Sequence, residues 1–131
     1  QLAYNEVAVE AVIPGAIGTP RGGYLKLERR VGDFATASVA VSLDMDGDVI
    51  RKAGCALAGV GGRTIDANEA ISCLVGKALT EDSIDQASDA VAAVAEPRTD
   101  HSGSDAYKRH IVQTFVKRIL TNLAQTEQKA A

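Results

Sequence analysis

Three runs in this chain alternate apolar residues with polar or small ones, the mark of strands whose two faces meet different surroundings. Residues 6–13, EVAVEAVI, set Val7, Val9, Ala11 and Ile13 on one face, and Pro14 with Gly15 ends the run. A loop of Gly, Pro and Thr covers 16–23. Residues 24–30, YLKLERR, then oppose Tyr24, Lys26, Glu28 and Arg30 to Leu25, Leu27 and Arg29. Residues 31–34 read as a turn centred on Gly32-Asp33. Ala35, Ala37, Val39, Val41 and Leu43 next alternate with Thr36, Ser38, Ala40, Ser42 and Asp44, and the run meets Asp46-Gly47, a two-residue hairpin signal. A return strand, VIRKAGCALAG, covers 49–59.

The period then changes. Asp66 and Glu69 form a capping box behind Ile65, opening a short helix to about Leu74 that Gly76 closes. Thr80 caps a longer helix with Ile84, Ala87, Val91 and Val94 on one stripe, Leu79 and Ile84 placed as a hydrophobic staple, and Pro97 as the stop. The polar connection EPRTDHSGS leads to a last helix over 105–123, where Tyr107, Ile111, Phe115, Ile119 and Leu123 recur every fourth residue, widened by Val112, Val116 and Leu120. The tail QTEQKAA reads as frayed. Strands followed by helices predict an α+β fold: an antiparallel sheet of three to four strands, then three helices packed on one face.

Composition narrows this picture. The 131 residues are one domain by length. The 46% apolar fraction rests on alanine, with two Phe, three Tyr and no Trp, so the core is built from small side chains. Abundant alanine fits close approach of backbones and equally fits plain helix propensity. A net charge of −3 argues against nucleic acid as a partner, and the one basic cluster, Lys26 with Arg29 and Arg30, has Glu28 inside it. Cys55 and Cys73 stand apart without a CxxC pattern and read as free thiols of a cytoplasmic protein. There is no basic, apolar leader and no apolar run of about 18 residues, so neither export nor a membrane span is expected.

Candidate chemistry is sparse. Asp44, Asp46 and Asp48 suggest a calcium loop, but the sixth and twelfth positions from Asp44 are Val49 and Cys55, where glycine and glutamate are needed; the stretch reads as a solvent-facing hairpin turn, and no metal site is expected. GTPRGG at 18–23 and GVGGR at 59–63 lack the spacing of phosphate-cradling loops. His101 and His110 have no carboxylate or cysteine at ligand spacing, and His110 reads as lying on the wet side of the last helix with Lys108 and Arg109. With no GxSxG and no Cys–His pairing, no catalytic residue is assigned.

Four segments in order carry a family likeness: YLKLERRVGDFATASVAV, the strand–hairpin–strand after it, AGVGGRTIDANEAISCLVGKAL and EPRTDHSGSDAYKRHIV. Together they resemble the C-terminal domain of the FAD-binding, or medium, subunit of molybdenum-containing hydroxylases, nearest in character to aerobic carbon monoxide dehydrogenase. The resemblance implies that residues 1–131 are a single C-terminal domain, with 1–5 a linker from absent FAD-binding domains and 124–131 a tail. It also accounts for a chain that opens on Gln1. It implies an oxidoreductase component, not catalytic by itself, that completes a flavin pocket for electron transfer from 2Fe-2S clusters to an external acceptor, with carbon monoxide the expected substrate. FAD would be shared with the N-terminal portion of the same subunit. The 2Fe-2S clusters and the molybdenum-molybdopterin cofactor would sit in a small iron-sulfur subunit and a large molybdenum subunit, in a dimer of heterotrimers. A cytoplasmic location is implied, with membrane contact through the acceptor left open.

Carried over residue by residue, the resemblance makes Tyr24 the ring that approaches the isoalloxazine, Lys26 its basic partner, Arg29 and Arg30 the arginine pair, and Asp33 the acid after the turn. The cofactor-binding set is thus Tyr24, Lys26, Arg30 and Asp33. The chemistry agrees in part: Tyr24 and Lys26 share a strand face about 6.6 Å apart, so one surface offers an aromatic wall and a charge. Arg30 has the parity of that face, and Asp33 is placed to pair with either arginine and hold the turn. Surface around 16–24 and 59–64 is expected to be covered by a partner. Two readings of the cluster remain open on residues alone: a charge-guarded edge strand, and an α+β binding or scaffold domain without catalysis.

Overall fold

The computed structural model describes residues 2–13, 15 and 19–130. Four strands, β1 (Thr19–Leu27), β2 (Ala37–Asp46), β3 (Val49–Ala58) and β4 (Ile65–Asp66), form one antiparallel sheet in sequence order. Three helices follow: α1 (Asn68–Ile71) continued by a 3-10 turn (Ser72–Leu74), α2 (Glu81–Ala93) and α3 (Asp105–Ala130). The α+β architecture is the one the alternation and the change of period predict.

On β2 the row Ala37, Val39, Val41, Leu43 and Met45 lies under the helices, each 4% exposed or less. β3 reaches the same layer through Ala53, Cys55 and Leu57, and also through Ile50, whose parity is wrong for an unbroken strand. A bulge explains it. Asp44 pairs with Lys52 and Met45 with Ile50, so Arg51 is an extra residue that turns Ile50 back to the core. The hairpin closes through Asp46 and Val49 around Gly47 and Asp48, one residue later than expected, with Gly47 at φ 58°.

Thr80 caps α2 as predicted: its Oγ1 accepts from Ser83 N (3.2 Å) and Ser83 Oγ accepts from Thr80 N (2.9 Å). The expected box at 66–69 is not made. Asp66 Oδ1 accepts from Asn68 N (2.9 Å), and the short helix starts one residue late, behind Ala67. Val94 is 39% exposed because α2 ends at Ala93, and Ala95 enters the core instead. On α3 the deepest row is Lys108, Val112, Val116 and Leu120, all at 3% exposure or less, whereas Tyr107 is half-exposed. α3 also runs on as helix to Ala130, where a frayed tail from Gln125 was expected. It passes so close to β1 that a Cβ on Gly23 would meet Ile119 Cγ2 at 2.6 Å.

Two strand assignments are corrected. Residues 6–13 form no strand: Val7, Val9 and Ile13 are 82–91% exposed. β1 begins at Thr19 and ends at Leu27, against the expected 24–30. The long β2 gives Thr19 to Gly23 register partners, and an edge strand tolerates Pro20. The ladder ends where Leu27 pairs with Ala37 and its carbonyl accepts from Thr36 N (2.8 Å), and Glu28, Arg29 and Arg30 have no register partner. The parts of the expected 16–23 loop at 16–18, with Pro14 and Gln1, lie outside the described residues.

Candidate functional site

Helices cover one face of the sheet; the other is open. Across that open face the register runs Tyr24–Ala40–Ala56–Asp66, flanked by Gly22–Ser42–Gly54 on one side and Lys26–Ser38–Ala58 on the other. Small residues therefore floor the middle strands, with Tyr24 and Lys26 at one margin and Asp66 at the other. A depression of about 440 Å³ is lined there by Ala40, Ser42, Gly54, Ala56, Asp66 and Asn68. Asn68 Oδ1 accepts from Cys55 N (2.9 Å) and so fixes its rim. Leu25 and Leu27 turn to the core, which leaves Tyr24 60% exposed, as their opposite parity requires.

Lys26 joins this face to the following turn. Its Nζ lies 2.5 Å from Glu28 Oε2 and donates to the Asp33 main-chain oxygen at 2.7 Å. The Glu28 carboxylate bonded to it holds the Lys26 ammonium above its ordinary pKa. Asp33 N in turn donates to Arg30 O (3.0 Å), with Gly32 at φ 89° inside the turn. The turn is thus held by the Asp33 carbonyl and not, as expected, by its carboxylate: among the described residues no ion pair joins Asp33 to Arg29 or Arg30. Arg30 has also left the strand, so it does not share the Tyr24 face by strand parity. Both arginines are exposed, and Val31 and Phe34 beside them are 99% exposed.

The turn forms one side of a polar cleft of about 540 Å³ that includes Arg29, Arg30, Asp33, Thr36, His101 and Ser102. Its other side comes from the connection between α2 and α3, held by Lys108. This lysine is 3% exposed; its Nζ meets Asp100 Oδ2 at 2.7 Å and donates to Arg98 O at 3.0 Å. The Lys108 ammonium, then the Ser102 N–H, hold the Asp100 carboxyl below its usual range. The expectation that Lys108 stands on the wet side of α3 is therefore wrong. Its place four residues before Val112, in the every-fourth row that continues through Val116 and Leu120, was the available signal, outweighed by its charge. Arg109 is likewise engaged, donating to the Ala92, Ala93 and Ala95 carbonyls at the end of α2 (2.7–3.3 Å), where a cation suits the helix terminus. His110 is exposed.

Elsewhere, Cys55 is buried and Cys73 half-buried, both as free thiols. Asp46 and Asp48 are exposed at the hairpin. Among the described residues no three His, Cys, Asp or Glu side chains converge as metal ligands, and no helix is long and apolar enough to cross a membrane. Around 59–64 most residues are at least partly exposed, but Val60 is buried.

Residues 23–123 match the family model described as the CO dehydrogenase flavoprotein C-terminal domain. The chain belongs to that family. The family match spans β1 from Gly23 through Leu123 of α3, and so contains Tyr24, the turn and both sides of the cleft. Among proteins of known identity, the chain is similar to the carbon monoxide dehydrogenase medium chain of Hydrogenophaga pseudoflava, 35% identical over 119 residues, or 91% of this chain and 42% of the relative. It is also similar to the glyceraldehyde dehydrogenase medium chain of Sulfolobus acidocaldarius, 32% identical over 101 residues, 77% of this chain and 36% of the relative. A solved carbon monoxide dehydrogenase from H. pseudoflava superimposes with a TM-score of 0.77 at 35% identity, covering 86% of this chain and 39% of that one. The chain spans about two fifths of the length of these family members.

Proposed function

We propose that this domain supplies one wall of a flavin site in the medium chain of a heteromeric oxidoreductase. The observation that carries the reading is the open sheet face: an exposed Tyr24 beside Lys26, at the margin of a floor of small residues. Such a face suits a flat, weakly polar ring, because Gly22, Ala40, Gly54 and Ala56 raise no side chain that would hold the ring away. The fit is to one side of the ring; the glycine-rich loops of this chain lack the spacing to cradle a pyrophosphate, so FAD would be held jointly with a further flavin-binding portion.

Bound FAD supplies the exchange of electrons between internal donors and an external acceptor. Tyr24 would cover one ring face and exclude water from it. Lys26 brings a cationic centre to the same face, and its bonds to Glu28 and the Asp33 carbonyl fix where that charge sits. Arg30 and Asp33, in the turn beyond, adjust the local potential. The 2Fe-2S clusters and the molybdenum-molybdopterin cofactor belong, in this reading, to separate small and large chains. Carbon monoxide is the substrate proposed first, from the H. pseudoflava likeness.

Tyr24→Ala in the assembled enzyme tests the reading. FAD should bind more weakly, by about 1–3 kcal/mol, with shifted flavin absorbance and potential, while reduction of the molybdenum centre by substrate stays unchanged. Tyr24→Phe should restore most of the affinity. Unchanged affinity, spectrum and potential in the alanine variant would remove Tyr24 from the site.

A further inference from the structure

Residues 6–13 combine the alternation of a strand with the exposure of a segment that has no sheet. Val7, Val9 and Ile13 are 82%, 91% and 91% exposed on one face, while Glu6, Ala8, Glu10 and Val12, the last 78% exposed, occupy the other. Among the described residues the only main-chain bond touching the run is Glu6 N to Ala3 O, at its start. Alternating valine and isoleucine disfavour a helix and suit a pleated, half-buried surface. Left in water, the row is a contiguous apolar edge of the kind that marks an interaction site.

We propose that residues 6–13 are a strand of a second sheet, added by main-chain pairing to the edge of a sheet in the flavin-carrying portion of the medium chain. This rests on the flavoprotein reading above. Three observations choose that partner. The C-terminal domain family model begins at Gly23, so the run lies outside the domain that this fold represents. The similarity to the H. pseudoflava medium chain nevertheless covers 119 residues, more than the 109 from Gly23 onward, so it extends upstream at least to Ile13. The match covers 42% of that relative, so more than half of its length lies outside the match and is free to offer a second sheet. The alternative acceptor, the outer edge of β1 in a second copy, is poorly suited: Pro20 lacks an N–H, and Arg21 and Lys26 are the charged residues with which edge strands resist pairing. The partner edge would present an apolar face continuous with Val7, Val9 and Ile13, and its N–H and C=O groups would give affinity while that face sets register.

Amide hydrogen exchange of the assembled flavoprotein, compared with the 131-residue chain alone, tests the proposal. Every second amide in 7–13, those facing the partner edge, should exchange at least about 100-fold more slowly in the assembly. Val9→Asp, on the apolar face, should weaken association with the flavin-carrying portion at least about tenfold. Ala8→Asp, one residue away on the opposite face, should weaken it less than about threefold, and the melting temperature of the isolated chain should be unchanged by either. Free exchange in an assembly that holds its flavin would overturn the inference and leave the flavoprotein reading standing. Slow exchange in an assembly without flavin would do the reverse. Equal losses from Val9→Asp and Ala8→Asp would overturn strand pairing, and protection in a dimer of the isolated chain would reassign the strand to a second copy.

Discussion

Residues 7–13 and residues 37–45 carry the same alternation and meet opposite fates. Val39, Val41 and Leu43 are at most 4% exposed; Val7, Val9 and Ile13 are at least 82% exposed. Neither residue type nor period separates them. Their neighbours do: β2 has β1 on one side, β3 on the other and α3 above, whereas the first run has no paired strand among the described residues. A period of two specifies a strand and which of its faces seeks cover, but it does not name the sheet.

The largest effect that separates the two runs is on stability. Leu43→Ala removes a fully buried side chain between sheet and helices and should cost about 2–5 kcal/mol. Val9→Ala in the 131-residue chain should stay within about 0.5 kcal/mol. Denaturant unfolding of both variants measures the contrast. A Val9→Ala cost near that of Leu43→Ala would mean that the first run packs on this domain after all.

What could be read from the sequence follows the same division. The buried row of β2, that of α3 apart from Tyr107 and Lys108, the Thr80 cap and the Gly32-Asp33 turn follow from local pattern, because each depends on residues a few positions apart. The parity of Ile50 depends on a bulge at Arg51, and the start of β1 on a partner strand long enough to pair Thr19 with Met45. Neither is visible in one segment read by itself. Of the candidate site, the face shared by Tyr24 and Lys26 was legible as alternation. The cleft between Arg29, Arg30 and His101 was not, since it joins loops about seventy residues apart.

Lys108 carries the comparison to a charged residue, where neighbours again outweigh type. It occupies the deepest row of α3 because Asp100 and the Arg98 carbonyl receive its ammonium. Lys108→Ala should destabilise the chain by about 2 kcal/mol, less than the roughly 3–5 expected for breaking a fully buried pair, because Asp100 is half-exposed and can rehydrate. Lys108→Met keeps the packing of the stem and should recover part of the loss. The Asp100 carboxyl, held low, adds stability that is present above its unfolded pKa and disappears as pH falls through the folded value. Lys108→Ala should therefore also flatten the acid limb of the stability profile. An alanine variant as stable as the parent would make the pair incidental.

The smallest expected effect is the sharpest check on independence of the two runs. Cys55 stands opposite Val41 in the β2–β3 ladder, and burial, then Asp66, push its thiol from its ordinary 9.0 up to about 12. Only about one molecule in ten thousand would carry the thiolate at pH 8, so alkylation of the native chain should fall first on the half-buried Cys73. Because its folded pKa is raised, the Cys55 thiol contributes stability that is complete below the unfolded value. That contribution is lost as pH rises from about 9 towards about 12. Removing residues 2–13 should change neither the slow labelling of Cys55 nor this alkaline decline, since that segment lends nothing to the ladder. Mass-spectrometric counting of labelled thiols against time, in the whole and the shortened chain, measures it. Faster labelling of Cys55 in the shortened chain would show that the exposed run shields the sheet, and would collapse the distinction between a strand that has its sheet and one that awaits it.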